Sequence, residues 1–381
     1  MANKKRLIVC CDGTWNELTK DPTNVVKTAR LIRQTAKKDN TPQIVHYLSG
    51  VGAGESHLID QLGGGAFGWG IDYVIQDAYQ FLCSNYDPKY EPNWRDKSPE
   101  ALEEPDEIYI FGFSRGAYIA RCLAGMIYKC GLVKRSQIRK VPKAYELYRN
   151  RNIKPNDDEC KKFRGENSKQ INTDVPYLYH RVPIKFLGCW DTVGSLGVPD
   201  LIPWLPIDKI LNKKYAFHDP ELSPIVENAF HAVAIDEKRK TFAHTPMVKG
   251  GKNPVQVVEE VWFTGEHGCV GGGTAAYKGL SDCALLWMLE KANALGLEFY
   301  GPEDKTEDKE KVSREEFYIK PAPETKFDDK VKLFYRLGGV KLRSITGENI
   351  KIHDSVKDRL KIYPDYRPKN LPKSIYENVE K

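Results

Sequence analysis

Ile108-Tyr109-Ile110-Phe111-Gly112-Phe113-Ser114-Arg115-Gly116-Ala117-Tyr118-Ile119-Ala120 is the stretch that decides how this chain is read. Its first four residues form a β-prone run after the polar, Pro-containing Glu103-Glu104-Pro105-Asp106. Beyond Gly116 the apolar residues recur at helical spacing through Leu123 and Ala124. The order is strand, tight turn, helix. Such a turn crowds the backbone around the serine, so the positions two before and two after it must lack side chains; Gly112 and Gly116 meet both demands. Ser114 is thereby expected at the carboxyl end of a strand and the start of a helix. Helix N–H groups and the helix dipole there favour developing negative charge. G-x-S-x-G alone arises by chance in Gly-rich chains, and the strand and helix around it are what make Ser114 a candidate nucleophile.

Outward from this stretch, apolar strands alternate with helical patterns, the signature of a parallel sheet with crossover helices. Strands are predicted at 5–11, 43–48, 107–112, 184–190 and 255–263, and helices at 24–37, 71–85, 115–130 and 281–295. The segment Val226 to Ala234, containing His231, is predicted helical. The fold class that results is α/β, of α/β-hydrolase type: a mostly parallel sheet with helices on both faces, plus a cap insertion and a C-terminal appendage. The main domain is placed at 1–303, with cap or lid insertions at about 131–180 and 199–225. From Glu303 to Glu316 the chain is highly charged, so 304–381 is expected to pack on the domain without joining its sheet core.

Two further constellations stand in the chain order serine, acid, histidine. Trp190-Asp191-Thr192-Val193-Gly194 puts an acid directly after an apolar strand. An Asp there accepts an imidazole N–H, fixes its tautomer and stabilises the imidazolium. Trp262-Phe263-Thr264-Gly265-Glu266-His267-Gly268-Cys269-Val270-Gly271-Gly272-Gly273 puts a histidine on a Gly-rich loop after another strand, where it can serve a serine as general base and then general acid. Acids and histidines after strands also serve as loop caps, so both assignments lean on Ser114. Among the other histidines, His353 ranks second as a base and His231 third, the latter reading as a packed residue or one that supports the site from behind. Oxyanion donors are expected from the backbone N–H of Arg115 and from the loop after the first strand, where Asp12, Gly13 and Thr14 form and support the turn. No metal or cofactor is required.

Composition bounds the alternatives. With 381 residues, 41% hydrophobic and 29% charged, the chain is an ordinary globule with no apolar run of membrane-spanning length. The apolar run Leu7 to Cys11 is too short for a secretory signal and reads as a strand. Nine cysteines without a C-x-x-C pair, several inside apolar segments, fit buried thiols in a reducing compartment; a cytoplasmic location is expected, with non-classical secretion left open. The net charge of +6 is uneven, since basic residues crowd positions 134–164. Glu146, Asp157, Asp158 and Glu159 are interleaved with them, so the stretch is read as a solvated helical face, with no nucleic-acid partner expected.

Taken together, Cys11-Asp12-Gly13-Thr14-Trp15-Asn16, the Gly64 to Gly70 run, Phe111 to Ala117, Trp190 to Gly194 and Trp262 to His267 resemble the α/β-hydrolase domain of the type VI secretion phospholipase-effector-like family over roughly residues 5 to 295. The resemblance implies a carboxylester hydrolase with a Ser114, Asp191 and His267 triad, and phospholipase A-type activity in secreted members. One departure stands out: the family reads His-x-Asp-x-Gly-Gly where this chain has Cys269 in the acidic position. Leu201 to Ile207, flanked by Lys209, Lys213 and Lys214, is either a lipid-touching lid, implying peripheral membrane contact, or a buried cap. The expected partner is an ester or phospholipid substrate. Two rival readings stay open: a catalytically weak or inactive interaction protein that keeps the fold, and a phosphatase-like or metal-assisted hydrolase using Asp12 and Asp191.

Overall fold

Strand β1, Arg6–Cys11, is buried at every position in the computed structural model, which describes residues 4–13, 21–50, 64–194, 221–301, 304, 318–328, 339–345 and 350–379. Strands β2 (Gln43–Leu48), β3 (Glu107–Phe113), β4 (Ile184–Trp190), β5 (Val226–Ala234), β6 (Val257–Phe263) and the two-residue β7 (Lys351–Ile352) join it in one sheet. The order is β2-β1-β3-β4-β5-β6-β7, and every neighbouring pair is parallel. Continuous apolar strands are what a parallel sheet covered on both faces requires. Side-chain parity divides the core: Leu7, Val9, Ile108 and Ile110 enter one cluster, while Ile8, Cys10, Tyr109 and Phe111 enter another.

Helices α1 (Asn24–Leu31), α2 (Gly64–Asn85), α3 (Arg115–Cys130), α4 (Val141–Arg149), α5 (Asp158–Asn167), α6 (His267–Gly271) and α7 (Lys278–Ala294) accompany the sheet. Apolar residues of α2, α3 and α4 fill the first cluster, and those of α1 and α7 the second, so the sheet is covered on both sides. This is the α/β-hydrolase arrangement. The chain leaves β1 toward β2 at one edge and leaves β3 toward β4 in the opposite direction. The loops after β1 and β3 therefore diverge at a topological switch point, the place where open α/β sheets leave a crevice beyond their strand ends.

The structure differs from the sequence expectations in several places. Val226–Ala234 is strand β5, not a helix; buried on both faces, it has no alternation of polar and apolar residues to mark a strand. Helix α1 stops at Leu31 because Ile32 turns extended (ψ 126°), six residues before the expected end at Lys37. Helix α2 begins at Gly64, inside the glycine run. The C-terminal segment does reach the sheet, since Lys351–Ile352 pairs with Val261–Trp262 as the edge strand β7. Helices α8 (Asp354–Ile362) and α9 (Lys373–Val379) follow, and Val356, Leu360 and Leu371 form a third apolar cluster with Val233, Ile235 and Trp262. In the basic stretch, Lys143 and Lys161 pair with Glu146 and Asp158 at the surface as expected, but Arg164 is buried and donates to the carbonyls of Lys129 and Pro155. All nine cysteines are buried and free. No helix among the described residues is long and apolar enough to cross a membrane. Thr14 and the candidate lid 201–207 lie outside the described residues.

Candidate active site

Ser114 occupies the turn between β3 and α3 with φ 57° and ψ −121°, a conformation that an L residue holds only when its surroundings enforce it. The enforcing contacts are close. A Cβ on Gly116 would lie 2.1 Å from the carbonyl oxygen of Cys11 and 2.6 Å from that of Asp12; one on Gly112 would lie 2.5 Å from the carbonyl oxygen of Gly116. The two glycines thus let α3 start directly against the loop after β1. The Ser114 amide donates to Trp190 O at 3.0 Å, tying the turn to the residue before Asp191. Arg115 opens the sixteen-residue helix α3, so its backbone N–H belongs to the first turn, at the positive end of the dipole.

Asp12 shapes the neighbouring loop. Its Oδ1 accepts the Gly13 amide at 2.6 Å, and its Oδ2 accepts the hydroxyls of Thr23 and Tyr47, each at 2.8 Å. Burial and the adjacent Asp12 push the Tyr47 phenol above its ordinary range, so it remains a donor.

Asp191 follows β4 with φ 40°, another left-handed non-glycine residue at this end of the sheet. Its buried carboxylate accepts four hydrogen bonds. Oδ1 receives the Ala234 amide at 2.9 Å and Arg343 Nη1 at 2.5 Å, while Oδ2 receives His267 Nδ1–H at 2.5 Å and Arg343 Nη2 at 2.9 Å. Burial alone would raise its pKa, but Arg343 and His267 outweigh that and hold it well below the usual carboxylate range. It stays ionised.

His267 is the first residue of the short helix α6. Its ring lies 4.6 Å from the Phe113 ring and 4.8 Å, edge-on, from that of Phe242. Its backbone N–H donates to Glu237 Oε2 at 3.2 Å, and Arg239 bridges Glu237 and Glu266. With Nδ1 engaged by Asp191, Nε2 is the nitrogen left for chemistry. Ser114 and His267 are both buried, each with 7% of its surface exposed. Among the described residues Ser114 Oγ makes no hydrogen bond to His267. The structure joins the acid to the histidine directly, and Phe113, the residue before the serine, packs its ring against that of His267.

The other sequence candidates take structural roles. His231 in β5 accepts the Thr192 amide at Nε2 (3.0 Å) and donates from Nδ1 to Glu260 (2.9 Å), bracing the residue after Asp191. Burial lowers its pKa, consistent with a neutral ring. His231, His244 and Glu260 have their ligand atoms within 4.8 Å of one another, a spacing compatible with a metal. The donor set does not fit one: a metal on Nδ1 of His231 would move the ring proton to Nε2, against the N–H of Thr192. His353 caps helix α8 by accepting the Ser355 amide and stacks on Phe263. Cys269 is fully buried beside Gly265, and burial pushes its thiol up; the histidine loop is held by Glu237 and Arg239 instead. Neither of those residues, nor Arg343, was identified from sequence. Glu237 and Arg239 sit in the charged run Asp236-Glu237-Lys238-Arg239-Lys240, which carries no pattern separating buried ions from solvated ones.

Residues 5–291 match the family model described as type VI secretion system (T6SS) phospholipase effector Tle1-like, catalytic domain. The uncharacterized protein YEL023C of Saccharomyces cerevisiae is 30% identical over 261 residues, covering 64% of this chain and 33% of the yeast protein. The chain thus spans about a third of the length of that curated relative. Among solved structures, an uncharacterized protein from Pseudomonas aeruginosa is similar at 16% identity and a TM-score of 0.46, over 88% of this chain and 50% of that one. The Tle1 effector bound to the VgrG spike of the type 6 secretion system gives 18% identity and a TM-score of 0.37, over 71% and 52%. A putative carboxylesterase from Lactobacillus plantarum gives 12% and 0.34, over 78% and 88%. On the family match over most of its length, this chain belongs to the Tle1-like phospholipase effector catalytic domain family.

Proposed function

We propose that this chain is a serine carboxylester hydrolase acting on lipid esters, of phospholipase A type, through Ser114, His267 and Asp191. The observation that carries the reading is the 2.5 Å pair of Asp191 and His267 at the same sheet end as the left-handed Ser114 turn. Family membership supports the ester class. In this account Nε2 of His267 takes the Ser114 hydroxyl proton as Oγ attacks the acyl carbonyl carbon. Asp191 holds the tautomer and stabilises the imidazolium. The oxyanion is met by the Arg115 N–H and by donors of the loop after β1, held by Asp12 and Gly13. Collapse expels the alcohol, which receives the proton from Nε2, and water then releases the acid by the same steps in reverse order. Nucleophile and base need not be bonded beforehand, because such contacts often tighten only with substrate bound.

The metal-assisted alternative is disfavoured by the donors that surround each carboxylate. Among the described residues Asp191 accepts four hydrogen bonds and Asp12 at least three, which leaves them poor ligands. The reading of an inactive interaction protein draws on a specific fact, the guanidinium of Arg343 on the triad acid. A screen of p-nitrophenyl esters and phosphatidylcholine vesicles separates the two. Fatty-acid release that is lost in Ser114→Ala supports hydrolysis, whereas no turnover of any ester by a folded protein overturns it. Vesicle co-sedimentation in the same experiment tests peripheral membrane contact.

A further inference from the structure

The family domain ends at residue 291, yet the carboxylate of Asp191 is completed by a side chain well beyond it. Arg343 lies in segment 339–345, which is fastened to the main domain through backbone bonds from Lys341 N to Lys238 O (2.8 Å) and from Lys240 N to Gly339 O (3.1 Å). Ile345 anchors the same segment in the third apolar cluster. From there the guanidinium enters the site almost fully buried, at 4% side-chain exposure. It meets Asp191 fork to fork, then uses its remaining reach to donate to Ala234 O at 3.1 Å and Phe242 O at 2.7 Å. Asp191 and Phe242 both touch the His267 ring. One side chain therefore fixes two of the surfaces that set the orientation of the imidazole.

We propose that Arg343 is a positioning residue of the ester-hydrolysing site, its side chain holding the plane of the Asp191 carboxylate so that Oδ2 faces His267. The inference rests on the serine-hydrolase reading above. A planar bidentate guanidinium defines the carboxylate plane in a way that an ammonium does not, so lysine is an inadequate substitute. Arg343 also places a positive charge beside the acid that stabilises the imidazolium, and removing it leaves that acid free to stabilise the charged ring more strongly. The other charged groups around His267 are Glu237 at its amide, Glu266 before it and Arg239 over Phe242.

The test uses the full chain with Arg343→Gln and Arg343→Lys, and with Lys341→Gln as a control in the same segment. Folding is checked by thermal unfolding, and site function by the rate of fluorophosphonate labelling at Ser114 and by the pH profile of kcat/KM. Both Arg343 variants are expected to label about 100-fold slower, with kcat reduced and KM little changed, as for a displaced catalytic geometry. In Arg343→Gln the acidic limb is expected at higher pH. Lys341→Gln should behave as wild type. Folded Arg343 variants that label at the wild-type rate overturn the positioning role, and so does failure of both to fold, which assigns Arg343 to structure alone. Absence of Ser114 labelling in the wild-type protein overturns the underlying reading instead.

Discussion

Gly116→Ala is the substitution whose consequence the structure fixes most tightly. The added methyl would stand 2.1 Å from the Cys11 carbonyl oxygen, 2.6 Å from the Cys11 carbonyl carbon and 2.6 Å from the Asp12 carbonyl oxygen. An ordinary contact begins near 3.4 Å, so the start of α3 and the loop after β1 must separate by about 1.3 Å. The wall is backbone on a fully buried strand, so no side chain can swing away. The cost sits at the upper end of that for overpacked cores, about 3 kcal/mol. A displacement of that size moves Ser114 and the Arg115 N–H relative to the Gly13 loop, and a misplacement of about 1 Å costs about 100-fold in rate. Thermal unfolding and p-nitrophenyl ester hydrolysis read the two effects separately. An alanine variant with wild-type stability and wild-type kcat would refute the close approach, and with it the elbow geometry.

Three further outcomes are expected. Asp191→Asn replaces an acceptor of four hydrogen bonds with a group that must turn donors toward Arg343 or His267; ester turnover should fall about 10,000-fold and stability by about 3–5 kcal/mol, read by kcat and denaturant titration. The folded pKa of Asp191 is held well below its unfolded value and that of Asp39, beside Arg6, at about 2, so the stability they contribute is present above about pH 4 and is lost as pH falls further. Thermal midpoints followed from about pH 5 to about pH 2 should drop steeply in the wild type and less so in Asp191→Asn. Cys269→Asp, which restores the acid of the family pattern, buries a carboxylate at a fully enclosed position; it should cost about 3–5 kcal/mol without raising kcat, and a stable, more active variant would contradict the account of the loop.

The sheet core was legible because its strands are buried on both faces and their apolar runs are bounded by polar turns. The start of β1 and the ends of β4 and β6 were read to within two residues, and the Gly112 and Gly116 constraint was read from steric logic alone. The same double burial hid β5: its polar residues Glu227, Asn228 and His231 show no two-residue period and fall three and four apart, as on one helix face, so the run reads as helical. The pairing of Asp191 with His267 was foreseeable from chain order, but Arg343 was not. Its segment alternates apolar and basic residues at Val340-Lys341-Leu342-Arg343, a pattern that points the apolar pair inward, whereas the structure exposes Val340 and Leu342 and buries Arg343; the backbone pairing with 238–240 that holds it there leaves no mark in side-chain pattern. His231 was rightly read as a packed residue, while its acidic partner Glu260 went unremarked within the apolar strand β6.

The central claim is tested most directly by locating the covalent adduct after exposure to a fluorophosphonate. The account predicts a single modified residue, Ser114, with the adduct abolished in Ser114→Ala and slowed severely in His267→Ala while both variants stay folded. Ester hydrolysis that proceeds with Ser114 unmodified, or an adduct on a different residue, would contradict it.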